Sequence, residues 1–554
     1  MRIRTSLLVL ALLIGGLDCA GTKALQYQPD TTTIAPGHQQ DNPPNWYSDA
    51  VIYQVWVKAF ADGMNGDGIG DLPGVDQKLD YLKSLGINTI WLSPIFECSY
   101  KGDNMHGYDT TDYYSINDRF GRQADLQKLI DDVHARDMRI IFDFVPNHTS
   151  SNNKWFNDGT KRNDWYIWQP SPPSGWGLPW GGGTSTDVWH QSNGNYFYSP
   201  FGSGMADLNF YNPDVKAAMQ NVARYWLDRG FDGMRVDAVR YLCESGPGAQ
   251  ADQPDTHARL REFRAVLDEY ATGDSHPHPG NDPNKHSVKM MIAEAWTNGP
   301  SGIAPYYGNG ANEFNMCLDF SAPWAICNAI KSADATQLTG LWEFEQGHYP
   351  AGYRTATFDS NHDNLISRPG TLYNGQKNQI ILHEAMNILS PGTPIIYYGN
   401  EIGMPGKSGT DLDLRQPMDW SAASAQASQP DSILSWCKYL IKAKTTYKAL
   451  KGAYSTLSTD IGPSKAVAYA MRVDNESILV VANLTGTTQS LVISDLAALG
   501  IPDGSPIGAI IGDLKASNSV SGSHYNVKDL PPFGLRVLYA TGGSFKGNIH
   551  GDLP

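Results

Sequence analysis

The 554-residue chain has little positive charge: 42 Lys and Arg stand against 57 Asp and Glu, a formal net charge of −15. That balance offers no general attraction to phosphate backbones or anionic lipid, which argues against a nucleic-acid partner and favours a neutral one. Cysteine is sparse too. Beyond Cys19, the set Cys98, Cys243, Cys317, Cys327 and Cys437 is odd in number and lacks metal-ligand spacing. Cys317 and Cys327 are close enough in sequence to suggest a disulfide, with free buried thiols the alternative. The apolar run from Leu7 to Leu17 is too short to span a bilayer, so no transmembrane segment is expected.

What is there is ordinary for a soluble globular protein, except for the aromatics. With 15 Trp and 28 Tyr the chain has many flat apolar faces of the kind that suit sugar rings. The first residues, MRIRTSLLVLALLIGGLDCAG, combine two arginines, a short apolar run and small residues, which reads as a signal peptide over residues 1–20 and a secreted or periplasmic protein. Lipoprotein anchoring through Cys19 is the alternative, and Asp18 stands against it.

The length exceeds one ordinary domain, so a large core with a smaller attached domain is expected. After a polar linker over 21–45, short β-branched runs alternate with helical patterns. Strand candidates are VIYQVWV (51–57), INTIWLS (87–93), RIIFDFV (139–145), GMRVDAV (233–239), KMMIAEAW (289–296), TATFDS (355–360) and PIIYYG (394–399). Patterns such as VKAAMQNVARYWLDRG between them carry apolar residues at helical spacing and a closing glycine. The alternation predicts an α/β protein, a (β/α)8 TIM barrel over 46–145 and 206–447. The loop-like, Trp-rich stretch 146–205 reads as an insertion after strand 3, and 448–541 as a C-terminal antiparallel β-sandwich. The tail after Thr541 reads as disordered, and the His-rich segment 273–286 as a solvated loop rather than a metal site.

The decisive stretch is GFDGMRVDAVRYL, which sets Arg235, Asp237 and Arg240 in an apolar run. Burying charge without a partner is expensive. Similar polar groups end other strands: Asp143, Asn147 and His148 in FDFVPNH, Glu294 in MIAEAW, His362 and Asp363 in FDSNHD. One such carboxylate could belong to a structural ion pair. Four carboxylates, two histidines and Arg235 on strands of one barrel make a site at its top face. A second signal is ADGMNGDGIGDLPG, where acidic and amide side chains alternate with glycines and supply hard oxygen ligands suited to Ca2+.

These stretches resemble the conserved regions of the α-amylase superfamily (glycoside hydrolase family 13), most like secreted bacterial α-amylases. HGYD at 106–109, MADLNF at 205–210, YYGNEIGM at 397–404 and RQPMDW at 415–420 extend the resemblance. It implies a retaining glycosidase with Asp237 as nucleophile, Glu294 as general acid and then base, and Asp363 as the carboxylate that binds sugar hydroxyls and favours the distorted ring. It implies that Arg235 keeps Asp237 ionised, that His148 and His362 donate to sugar hydroxyls, that Tyr108 stacks beneath the ring, and that Asp109 and Arg415 contact the same sugar. The Gly-rich loop resembles the calcium loop of oligo-1,6-glucosidases, with Asn65, Asp67, the Ile69 carbonyl and Asp71 as ligands. Asp62 is a further candidate, displaced by an extra residue before Asn65.

Ala238 after the nucleophile resembles members acting on α-1,4 links. The expected function is therefore a secreted α-amylase acting as a monomer on starch or maltodextrins, with α-glucosidase or a trehalose synthase-type maltose isomerase as alternatives. The resemblance also has a departure: many α-amylases have Lys-His where this chain has Arg240 and Tyr241. That His supplies a backbone ligand to the family's usual calcium between barrel and insertion, so the calcium expectation shifts to the Asp67 loop.

Overall fold

The computed structural model describes residues 39–100, 102, 105–271, 287–514, 518–541 and 545–553. The signal-peptide and Cys19 readings and the whole His-rich segment 273–286 lie outside these residues. Eight parallel strands close a barrel: β1 (Ile52–Val55), β2 (Thr89–Leu92), β3 (Arg139–Phe144), β4 (Gly233–Val236), β5 (Met290–Ala293), β6 (Met316–Leu318), β7 (Thr355–Phe358) and β8 (Thr393–Tyr397). β1 pairs with both β2 and β8, which completes the ring. Seven of the eight match the strands expected from sequence. The eighth, β6, has only three residues and no β-branched side chain, so it leaves no pattern to read.

Strand periodicity sorts the side chains. Ile52, Trp91, Ile141, Ile292, Leu318, Phe358 and Ile395 form one buried cluster inside the barrel, whereas Ile140, Phe142, Met291 and Ala293 belong to the larger core beneath the helices. Gly233 opens β4 because a Cβ there would lie 2.2 Å from the Met290 carbonyl oxygen of β5. Helix Pro213–Leu227 shows why the crossovers form. Asn212 caps its N-terminus by accepting from the Asp214 amide, a proline follows, and Val215, Met219, Val222, Ala223 and Trp226 bury one face.

Between β3 and β4, strands His148–Ser150 and Met205–Asp207 pair antiparallel and bracket a small three-stranded sheet. The tryptophans there pack in aromatic groups, Trp155 on Trp165 at 5.0 Å and Trp176 on Trp189 at 5.1 Å. At the C-terminus, five antiparallel strands face a two-stranded sheet. Leu479, Val481 and Leu538 from the first meet Leu491 and Val527 from the second. The intervening residues, among them Tyr469 and Val480, join the barrel's core, and Tyr469 donates to the Leu389 carbonyl.

Three expectations are corrected. Residues 39–45, read as the end of a linker, include Gln39 and Asn42, which are buried; Asn42 donates to Asp232 just before β4 at 2.7 Å. The described part of the tail, 545–553, is docked rather than disordered: Asp552 pairs with Arg536 at 2.9 Å and Leu553 is buried. No disulfide joins Cys317 to Cys327; both are free, buried thiols. Among the described residues no helix is long and apolar enough to cross a membrane.

Candidate active site

Register builds the site. Arg235 lies opposite Asp143 on β3 and Ile292 on β5, so these residues share one level of the barrel interior. Two residues further on, where period 2 returns the side chain to the same face, stand Asp237 and Glu294. One level of inward side chains therefore carries the cation, and the next carries the two carboxylates at the mouth.

The buried Arg235 guanidinium touches three acids. Nη1 lies 2.6 Å from Asp143 and 2.8 Å from Asp237, and Nη2 lies 2.7 Å from Glu294. The faces of Trp91 and Tyr108 flank it. One cation cannot neutralise three carboxylates in a water-poor cavity, so protons must remain. Burial raises Glu294 to about 8, with Asp237 and Asp363 adding to the rise against Arg235. Burial raises Asp237 to about 7, again opposed first by Arg235. Asp143 is lifted by burial to about 6. Asp237 thus loses its proton before Glu294.

The turn after Asp237 fixes both groups. The Asp237 amide still donates to Phe144 of β3 at 2.8 Å, and Ala238 then turns left-handed with φ 49°. That conformation is costly for a residue with a Cβ. It delivers the Ala238 amide to Glu294 Oε2 at 2.9 Å.

A third acid stands apart. Asp363 is a quarter exposed, with Arg415 at 3.3 Å and His362 Nε2 at 3.5 Å. Arg415 also donates to the His362 carbonyl and lies over the Trp56 ring. His362 is stacked between Trp56 and Tyr108, and its two nitrogens meet the Gln54 amide at 2.7 Å and the Tyr108 hydroxyl at 2.6 Å. Burial, with Arg415 and Arg235 nearby, keeps it well below the usual histidine range and neutral. Tyr108 passes the network on to Asp143 at 3.1 Å.

His148 is different. Neither ring nitrogen makes a well-formed hydrogen bond, although the ring is buried; burial lowers its pKa to about 3, and the Tyr108 backbone counters this only partly. It leans on Phe201, which meets Trp180 and Tyr241 to form an aromatic wall. Asp109 is fully enclosed: it accepts from the Tyr100 amide at 2.6 Å and faces His106 at 3.8 Å, supporting the 106–109 turn from behind.

The structure thus gathers Tyr108, His148, Arg235, Asp237, Glu294, His362, Asp363 and Arg415 at one mouth. Sequence reasoning missed Gln54, Phe201 and Tyr241 as parts of it. Gln54 carried a signal, a polar residue inside the apolar run VIYQVWV.

In the 62–71 loop, Asp62 accepts from the Gly66 and Gly68 amides at 3.1 and 2.7 Å, and Asp67 from Ile69 at 2.9 Å. Asn65 Oδ1 accepts from the Asp67 amide. These hard oxygens fit Ca2+ in chemistry. Asp71 is buried and committed to the Gly63, Met64 and Gly74 amides as the cap of helix Leu72–Gln77. Among the described residues no three His, Cys, Asp or Glu side chains converge as a metal cluster.

A (β/α)8 barrel whose strand ends set paired acids around a buried arginine defines a glycosidase-type active site. The family model for the α-amylase catalytic domain matches residues 54–455. The chain belongs to that family, glycoside hydrolase family 13. It is 31% identical over 474 residues to α-amylase 3 of Dictyoglomus thermophilum, covering 79% of this chain and 85% of that one. It is 35% identical over 398 residues to an α-glucosidase of Apis mellifera, covering 65% and 64%. It is 29% identical over 518 residues to trehalose synthase of Thermus thermophilus, covering 81% of this chain and 51% of that one. Among solved structures it resembles an α-amylase from H. orenii, with TM-score 0.70, 26% identity, and 88% and 99% of the two chains covered.

Proposed function

We propose that the protein is a secreted retaining glycosidase that cleaves α-1,4-glucosidic bonds of starch or maltodextrins. The observation that carries the reading is the single Arg235 guanidinium bonded to Asp143, Asp237 and Glu294 together. It links the two carboxylates closely, as a retaining pair roughly 5–5.5 Å apart requires. Asp237, which ionises before Glu294, attacks the anomeric carbon. Glu294 gives its proton to the departing glycosidic oxygen, and the C–O bond breaks to leave a glycosyl ester on Asp237. Glu294, now ionised, removes a proton from water, whose oxygen displaces Asp237 and restores both groups.

Asp363, held by Arg415, accepts hydrogen bonds from hydroxyls of the sugar undergoing cleavage. His148, neutral and with weakly engaged nitrogens, is suited to the same ring. Both His362 nitrogens are engaged within the protein, so its part is to hold Tyr108 flat beneath that sugar. A calcium ion on Asp62, Asn65 and Asp67 would serve structurally, closing the 62–71 loop.

Product analysis tests the reading. Internal cleavage of maltoheptaose and release of reducing ends from soluble starch are expected. Glucose alone would assign an α-glucosidase, and trehalose from maltose the isomerase; the relatives named for those activities keep both as alternatives. No turnover of any α-glucoside would refute the proposal.

A further inference from the structure

Gln54 stands inside the apolar run VIYQVWV and is buried at 1% exposure. Period 2 turns it into the barrel with Ile52, at the level of Trp91 on β2. A buried amide is costly unless it is hydrogen-bonded. Gln54 Nε2 lies 2.7 Å from His362 Nδ1, and Trp56, two residues further along, stacks on the same imidazole. The end of β1 thus holds His362 by one edge and one face.

The direction of these hydrogen bonds follows from their charged end. Asp143 accepts from Arg235 at 2.6 Å and from Trp91 Nε1 at 3.2 Å, and it ionises before Asp237 and Glu294. An ionised carboxylate only accepts, so the single Tyr108 hydroxyl proton goes to Asp143 at 3.1 Å. The Tyr108 oxygen must then accept in turn, from Arg235 Nη1 at 3.5 Å and from His362 Nε2 at 2.6 Å. Asp363, 3.5 Å from the same nitrogen, favours the same proton. A neutral imidazole carries one proton, which is therefore on Nε2. Nδ1 is left bare, and the Gln54 amide is the donor that meets it. The opposite tautomer would aim a tyrosine lone pair at a carboxylate and set the His362 N–H against the Gln54 amide hydrogens.

The contacts therefore run one way, from the Gln54 amide to His362, from His362 to Tyr108 and from Tyr108 to Asp143. The His362 ring is stacked parallel to Tyr108, with planes 8° apart, so fixing one ring fixes the plane of the other. Asp143 is in turn satisfied by three donors. The Arg235 guanidinium keeps its remaining contacts for Asp237 at 2.8 Å and Glu294 at 2.7 Å.

We infer that Gln54 is a positioning residue: its amide donates to His362 Nδ1, which holds the ring's proton on Nε2 and, through Tyr108, sets the hydrogen bond onto Asp143. The inference rests on the proposed function, in which Tyr108 lies beneath the sugar being cleaved and Arg235 serves the two reacting carboxylates. Gln54 touches neither the sugar nor those carboxylates. Without its amide the imidazole loses its anchor at Nδ1, the Tyr108 hydroxyl is free to turn its proton away from Asp143, and Asp143 draws harder on the shared arginine.

The test is a double-mutant cycle on the full chain, with Gln54→Met, Tyr108→Phe and both together turned over on maltoheptaose. Methionine keeps an unbranched side chain of similar length and removes the donor. In the wild-type background Gln54→Met should lower kcat about tenfold, the scale of one buried hydrogen bond, with KM little changed because the other sugars still bind. In the Tyr108→Phe background the same substitution should cost little more, since the hydroxyl through which it acts is gone. An unchanged kcat, or equal losses in both backgrounds, would overturn the inference. A second measurement does not depend on the variants folding: nitrogen NMR of the histidine-labelled wild type at pH 7, with the His362 signal identified by its loss in His362→Asn. A protonated Nε2 and a bare Nδ1 are expected, and the reverse would overturn the relay. A wild type that turns over no glucan would refute the proposed function, and the His362 spectrum would still decide the direction of the contacts.

Discussion

Arg235 Nη2 lies 2.7 Å from Glu294 Oε1, so the group that must hold a proton is paired with a permanent cation. The pairing is tolerable because the same guanidinium also serves Asp143 and Asp237, and burial outweighs it at Glu294. The arginine does not set the charge of one acid. It opposes at all three the burial that raises them, and they stand in the order Asp143, Asp237, Glu294.

That order fixes a pH dependence. Activity needs Asp237 ionised and Glu294 protonated, so the rate should rise as Asp237 loses its proton and fall as Glu294 loses its own. A bell-shaped kcat/KM profile is expected, with limbs that belong to the coupled pair. In Glu294→Gln the alkaline limb should vanish, and added azide, which needs no general base, should restore turnover. A variant with full unassisted activity and an unchanged alkaline limb would remove Glu294 from its role.

Asp237→Asn should abolish activity by several orders of magnitude and leave folding intact. The side chain is bonded to Arg235, which keeps Asp143 and Glu294, so the cation is not stranded. The readouts are turnover on maltoheptaose and the thermal midpoint. Near wild-type turnover would disprove the assignment.

The barrel was legible because its longer strands are β-branched runs between helical patterns, and the site because charge inside such runs demands an explanation. Asp237 and Glu294 announced themselves in that way. The wall of Phe201 and Tyr241 did not, since it is formed where the insertion meets the loop after β4, a contact set by packing and not by spacing. HGYD likewise shows that Asp109 matters without showing that it faces backward, toward the Tyr100 amide. The docked tail was hidden for a related reason: its anchors, Asp552 on Arg536 and the Ile549 amide on the Ile510 carbonyl, are made with distant residues.

A chelator should lower the melting temperature if the 62–71 loop holds calcium. Asp62, Asn65 and Asp67 would supply the oxygens, and Asp67→Ala should remove the chelator's effect. No change in melting temperature at any chelator strength would count against a bound ion in this loop. Wild-type sensitivity that persists in Asp67→Ala would place the ion elsewhere.

The buried pair Asp319 and Glu345 should contribute stability that is lost as pH rises. Asp319, after β6, and Glu345, on helix Thr336–His348, face each other in the core at hydrogen-bonding range. The groups around them are the Ser321 and Ala322 amides, the Thr355 hydroxyl and the rings of Tyr307, Tyr349 and Tyr353. No ion pair to a cation is formed by either acid among the described residues, so burial raises Asp319 to about 6 and Glu345 further above its ordinary value. The native state therefore holds protons that the unfolded chain has released above about pH 4. Stability from these protons is full below that pH and is lost as pH climbs through the raised values, by ~1.4 kcal/mol for each pH unit that separates a group's folded and unfolded pKa. Glu345→Gln keeps a neutral hydrogen-bonding partner for Asp319 and lets Asp319 ionise alone. Other buried acid pairs, Asp207 with Glu244 and Asp359 with Glu384, add to the same slope in both proteins. The quantity to measure is thus the difference: the unfolding free energy of Glu345→Gln should decline less than that of the wild type between pH 5 and 8. Parallel curves would show that the pair is not proton-linked to folding.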